Sequence, residues 1–204
     1  EQTLKNADYS GQIEAISRSQ AVIAFNLDGT IQNANDNFLQ VMGYTLDQIK
    51  GKHHRIFVEA GERNSPDYKA FWQALNAGKH FTGEYKRIGN NGREVWIQAS
   101  YNPILDLNGH PVRVVKYATD ITADKLRNAD YQGQLNAISR SQAVIEFELD
   151  GTIRYANDNF LKTMGYTLEE VKGQHHRIFV DDAYAKSAEY QSFWQALNAG
   201  EFFS

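Results

Sequence analysis

At 204 residues, 42% of them hydrophobic and none of them cysteine, the chain can fill the core of one large domain or two ordinary ones. The missing cysteines exclude disulfide frameworks, thiolate metal sites and thiol nucleophiles. Twenty-one basic against 25 acidic residues leave a formal charge of -4, no footprint for nucleic acid or an anionic membrane. With no apolar run near the roughly 20 residues of a spanning helix, a cytoplasmic segment without membrane contact is expected.

Residues 1–20 read as a connector helix, with Tyr9, Ile13 and Ile16 on one stripe. Ala21 to Leu27 and Thr30 to Ala34 are β-prone runs around Asp28-Gly29, a hairpin signal. Asn35 and Asp36 then offer cap oxygens to a short helix carrying Phe38, Leu39 and Met42, which Gly43 ends. Leu46 to Lys50 predicts a further helical turn, and Pro66 to Ala77 a longer helix with Phe71, Trp72 and Leu75 on one face. Phe81 to Ile88, Glu94 to Asn102 and Val112 to Ile121 predict three antiparallel strands. In the second of these Val95, Ile97, Ala99 and Tyr101 alternate with Trp96, Gln98 and Ser100, so one face buries. Thr122 is expected to cap a connector, residues 122–142, in which Tyr131, Leu135 and Ile138 repeat the apolar stripe.

The chain then starts again. Leu4 to Thr82 aligns without a gap on Leu126 to Ser204, at a constant offset of 122, with 52 of 79 positions identical. So long a period makes each copy a domain with its own core rather than one turn of a solenoid. The expected division is a connector at 1–20, a first domain at 21–121, a connector at 122–142, and at 143–204 the N-terminal part of a second domain. This second copy stops where the first has Gly83 to Ile121 still to run. The chain opens on Glu1 without methionine and stops within a readable pattern, so a piece of a longer protein is expected. An open sheet edge in the second copy calls for a covering partner, and exchange of the Gly83 to Ile121 segment between like halves is one way to supply it.

The order of DG, AND-N-F, GYT, G-x-x-H, F-W-x-x-L-x-x-G, G-E-Y-K-R, N-G-x-x-x-W, YNPI and DIT resembles the PAS domains of bacterial methyl-accepting chemotaxis receptors. The similarity is to the tandem-PAS, biofilm-dispersion type and, more distantly, to the aerotaxis-receptor type. It implies an α+β PAS fold, a five-stranded antiparallel sheet with short helices on one face and a pocket between them. It also implies a sensory input module of a signal-transduction receptor, reading redox state, oxygen or a small ligand. Helical connectors would relay the change to a downstream signalling domain. In the aerotaxis branch the pocket holds FAD, and its tryptophan and asparagine correspond to Trp72 and Asn35 here, and to Trp194 and Asn157 in the second copy. His54 and His176 match the histidine of the G-x-x-H step. That branch's Arg-His pair falls on Val58 and Glu59, and on Val180 and Asp181. Haem, or no cofactor, is the alternative.

Each candidate also has a plainer reading. Neighbouring histidines on a helix diverge by about 100°, so His53-His54 and His175-His176 suit structural roles better than a shared metal. Trp72 and Trp194 serve as core aromatics, and Asn35 and Asn157 as helix caps. Trp96, out of phase with the buried set, is expected against the connector or a second subunit. No carboxylate pair, nucleophile elbow or phosphate loop is present, so no enzyme is expected. The competing function is a dimerisation and scaffolding module without ligand, pairing through the connector helices.

Overall fold

The computed structural model describes residues 2–203, so Glu1 and Ser204, the ends of the first connector and the second domain, lie outside the described residues. It divides into two compact units, the first ending at Arg127 and the second beginning at Asn128.

In the first unit α1 (Gln2–Ser19) leads into β1 (Ala21–Phe25), the Asp28-Gly29 turn and β2 (Ile31–Ala34). Gly29 sits at φ 85°, and a Cβ there would fall 2.6 Å from Nε2 of His53. Glycine is thus required both by the turn and by the imidazole packed on it. Helices α2 (Asp36–Met42), α3 (Leu46–Ile49) and α4 (Pro66–Asn76) follow, with a 3₁₀ turn at His54–Phe57. Gly43 closes α2 in the left-handed region at φ 73°. Ser65 caps α4, accepting from the Tyr68 amide at 3.1 Å, and Pro66 takes the position where no amide is needed.

The last three strands are β3 (Phe81–Ile88), β4 (Glu94–Leu105) and β5 (Pro111–Asp120). The sheet order is β2-β1-β5-β4-β3, with every pairing antiparallel. The expected alternation holds in β4, where Val95, Ile97, Ala99 and Tyr101 are all buried. The strand runs three residues past its expected end, through Pro103. Beyond Tyr101 it pairs with β5 alone, so the missing proline amide leaves no ladder bond unmade. Ile23, Phe25, Phe38, Phe57, Leu75, Ile97 and Tyr101 form the core between the sheet and the helices.

Helix α5 (Thr122–Ser141) departs from expectation at its start. The Thr122 hydroxyl does not cap the helix but accepts from the Trp96 amide at 2.9 Å. Trp96 accordingly lies under the first turn of α5, with Lys125 Nζ 5.2 Å from its ring centroid. The apolar stripes of α1 and α5 are exposed, Tyr9 at 61% and Tyr131 at 58% among them.

The second unit repeats the beginning of this plan. The hairpin β6 (Ile145–Phe147) and β7 (Ile153–Ala156) is followed by α6 (Asp158–Met164), α7 (Leu168–Val171), a 3₁₀ turn at His176–Phe179, α8 (Asp182–Ala185) and α9 (Ala188–Asn198). Its buried cluster is small, centred on Ile153, Ala156 and Val171.

Candidate functional site

Asn35 is the first candidate to be fixed by local sequence. Its side-chain oxygen accepts from the amides of Phe38 and Val22, both at 2.9 Å. Its amide nitrogen donates to the carbonyls of Ser17 and Gln20, both at 2.8 Å. One side chain therefore caps α2, and ties both β1 and the end of α1 to it. Asn157 makes the same set, from Phe160 and Val144 and to Ser139 and Gln142.

His53 and His54 are not neighbours on one helix face. His53 caps the 3₁₀ turn, its Nδ1 accepting from the Arg55 amide at 3.1 Å, and is half-buried. His54, in the first position of that turn, points into the core and has no exposed surface. Its Nδ1 lies 2.8 Å from the Tyr68 hydroxyl on α4 and its Nε2 lies 3.1 Å from the Tyr101 hydroxyl on β4. Burial, then the positive charges of Lys116 and Arg87, hold the imidazole well below the usual histidine range. A neutral ring donates through one nitrogen and accepts through the other, so one of the two tyrosine hydroxyls donates a hydrogen bond to His54 and the other accepts one from it.

Trp72 stands beside this pair, with its ring centroid 5.6 Å from that of His54 and 5.6 Å from that of Phe25. It is 7% exposed, and its indole N–H is buried without a hydrogen-bond partner. The residue lines a cleft of about 310 Å³ between α4 and the hairpin turn, together with Asp28, His53, Arg55 and Tyr68. Burial pushes the Tyr68 phenol up to about 12, opposed by the indole N–H of Trp72, which lies close to the hydroxyl but outside hydrogen-bond geometry. Trp72 and His54 thus come together, whereas the polar atoms of Asn35 are spent on α1, β1 and α2.

The second unit reproduces the arrangement. His176 Nδ1 lies 2.9 Å from the Tyr190 hydroxyl, and Trp194, its centroid 5.6 Å from that of His176, again has a buried N–H without a partner. A cleft of about 400 Å³ is lined by Asp150, His175, Arg177, Tyr190 and Trp194.

Two buried cations went unmarked in the sequence. Arg87 on β3 is 7% exposed and Lys116 on β5 is 1% exposed. An Arg87 terminal nitrogen donates to the Tyr101 hydroxyl at 3.1 Å, and Lys116 Nζ lies 4.8 Å from the Tyr101 ring centroid. Burial and the Arg87 charge hold Lys116 well below the usual lysine range. The available signal was the period of β5, since Val114, Lys116 and Ala118 alternate onto one face. Among the described residues no group of His, Asp and Glu converges in a way that suits a metal ion. Among them, too, no helix is long and apolar enough to cross a membrane.

Comparison with known proteins agrees with this architecture. The PAS-fold family profile matches residues 31–118, and a PAS-domain profile matches residues 141–203. The biofilm dispersion protein BdlA of Pseudomonas aeruginosa is 45% identical over 188 residues, 92% of this chain and 45% of that protein. The aerotaxis receptor of Escherichia coli is 31% identical over 80 residues, 39% of this chain and 16% of the receptor. The chain thus spans less than half the length of either relative. Among solved structures, an RNA-binding light-oxygen-voltage receptor superposes with a TM-score of 0.50 at 19% identity, over 63% of this chain and 37% of that one, a likeness of fold alone. With two family matches in tandem, the expected five-stranded antiparallel sheet and the site residues repeated in both units, the chain belongs to the PAS family.

Proposed function

We propose that the chain is the tandem sensory input module of a chemotaxis-type receptor, binding a small molecule beside Trp72 and Trp194 and sensing rather than catalysing. The observation that carries this reading is the buried, unpartnered indole N–H present at equivalent places in both units. Buried donors without acceptors are rare in folded proteins, and a ligand acceptor is the economical way to satisfy them. The resemblance to BdlA and to the aerotaxis receptor supports the receptor context, and it supports the connectors 1–20 and 122–142 as the relay to a downstream domain. A cytoplasmic setting follows from that reading.

FAD is the cofactor this resemblance favours, and when bound it would supply reversible redox chemistry to the sensor. Trp72 and Trp194 suit it, each offering a free donor at a cleft. His54 and Asn35 instead have their polar side-chain atoms bonded within the protein, as Asn157 does in the second unit, so they support the fold around the site, whereas His176 is bonded through Nδ1 alone. Holding haem through His54 would cost that side chain one tyrosine partner. The visible absorption of the purified chain, and the small molecules released when it is denatured, test the proposal. Flavin bands that weaken in W72F are expected, and a colourless protein that releases nothing would sink the cofactor.

The exposed stripes of Tyr9, Ile13 and Ile16 on α1 and of Tyr131, Leu135 and Ile138 on α5 favour a second reading. In it the module pairs two copies through these helices or through exchanged sheet segments, with or without ligand. Light scattering that shows a monomer at high concentration would remove it.

A further inference from the structure

A second cleft, of about 360 Å³, uses a different set of α4 residues and shares only Tyr68 with the Trp72 cleft. Tyr68, Phe71 and Tyr85 form its walls, Glu62, Ser65 and Asp67 stand along its lip, and Arg87 is the least exposed residue lining it. Arg87 is incompletely satisfied. One terminal nitrogen donates to the Lys86 carbonyl at 2.7 Å and the other to the Tyr101 hydroxyl, but the buried Nε–H has no partner.

Charge makes the same point independently. Lys86 pairs with Glu59 at 2.8 Å and with Glu94 at 2.6 Å, and Lys125 pairs with Glu84. Among the described residues, however, neither of the buried cations, Arg87 and Lys116, has a carboxylate within ion-pair distance. Lys86 and Lys125 are thus neutralised by carboxylates, Lys116 sheds its charge readily, and Arg87 is left as a buried guanidinium whose charge costs free energy until an anion arrives. A sulfate-sized dianion is disfavoured by the exposed carboxylates of Glu62 and Asp67 at the mouth. The three aromatic walls, by contrast, suit a flat apolar body.

We infer that this cleft binds a small aromatic monocarboxylate, with the carboxylate accepting from the Arg87 Nε–H and the ring lying between Tyr68, Phe71 and Tyr85. The volume lies within the range of small-molecule sites. The Arg87 guanidinium carbon already sits 4.8 Å from the Tyr85 ring centroid, so a ligand docked on the guanidinium meets an aromatic face at once. The inference stands apart from the cofactor proposed at Trp72, because the two clefts have different donors.

The test titrates the full chain with sodium benzoate and with benzamide, which has the same shape without the charge. The Arg87 Nε–H and Trp72 indole N–H signals are followed by NMR. Saturable benzoate shifts at Arg87, Phe71 and Tyr85 are expected, with benzamide roughly 10- to 100-fold weaker, as the loss of one charge-assisted hydrogen bond predicts. R87Q should weaken benzoate by a similar factor, with R87K between the two. Because both replace a buried group, the surface pair E62Q/D67N serves as the second variant, and it should bind the dianion succinate several-fold more tightly than the native chain does. Equal affinity for benzoate and benzamide, no saturable binding at high millimolar benzoate, or shifts centred on Trp72 with Arg87 unmoved would each overturn the inference. None of these results depends on whether the chain carries flavin.

Discussion

The two units run the same local sequence to different degrees of burial. Asn35 and Asn157 make the same four backbone bonds, the His–Tyr distances are 2.8 and 2.9 Å, and Gly29 and Gly151 pack equally closely on His53 and His175. The rest diverges. Met42 is 1% exposed and Met164 is 40% exposed, and Phe25 is fully buried where Phe147 is only partly so. Caps, turns and the pairing of His54 with Tyr68, or of His176 with Tyr190, involve partners within about 20 residues, so each copy builds them by itself. Dryness comes from β3 to β5, which in the first unit cover the helical layer and bring in Tyr101, Arg87 and Lys116. The comparison therefore separates what the hairpin and helices specify from what the rest of the sheet supplies.

The largest effect should separate the units most clearly. Met42→Ala empties a fully enclosed position and is expected to cost about 2–5 kcal/mol, whereas Met164→Ala at the matching exposed position should cost under about 1 kcal/mol. Denaturant unfolding of each variant, followed by signals assigned to its own unit, checks this. Comparable losses at the two positions would mean that the second unit is packed as tightly as the first.

The next effect should be the same in both units. Asn35→Ala and Asn157→Ala each remove a cap and leave β-strand and helix-end groups without partners, for about 2 kcal/mol apiece. Since the bonds are local and alike, the two losses should agree to within about 0.5 kcal/mol by the same measurement. A large inequality would show that the caps depend on the covering strands after all.

The split between local and covering structure also explains what sequence could reveal. The hairpin announced itself through Asp28-Gly29, the cap through Asn35, and β4 through strict alternation, all signals contained in a few consecutive residues. His54 was visible as a histidine but not as a clamp, because Tyr101 reaches it from 47 positions away. Thr122 looked like a cap because threonine before a helix usually is one, but the Trp96 amide, 26 positions back, claims its hydroxyl. Lys116 is the hardest case. Its position in β5 pointed inward while its chemistry pointed outward, and only the pairing of β5 with β4, which sets Lys116 opposite Tyr101, decides between them. Residue type is a poor guide where the cost of burying a charge is met by a long-range partner or by a ligand.

The smallest effect is one of acidity, and it again sets the first unit against the second. Burial depresses both His54 and His176, the former much more strongly. A histidine whose folded pKa lies below its unfolded value of 6.5 leaves the native state short of a proton that the unfolded chain takes up below that pH. Stability is therefore complete above pH 6.5 and falls as the pH drops below it, for His54 by up to about 1.4 kcal/mol per pH unit. The alkaline limb is less clean, because Lys116 regains stability there as the unfolded chain loses its proton, while Tyr68 and Tyr101, both raised by burial, lose it. On the acid limb, NMR titration of the imidazole signals should show His54 staying neutral until the first unit unfolds, with His176 taking up its proton in the folded state. A His54 signal that titrates near pH 6.5 in the native protein would mean that water reaches the clamp, and the burial that distinguishes the two units would then not extend to their histidines.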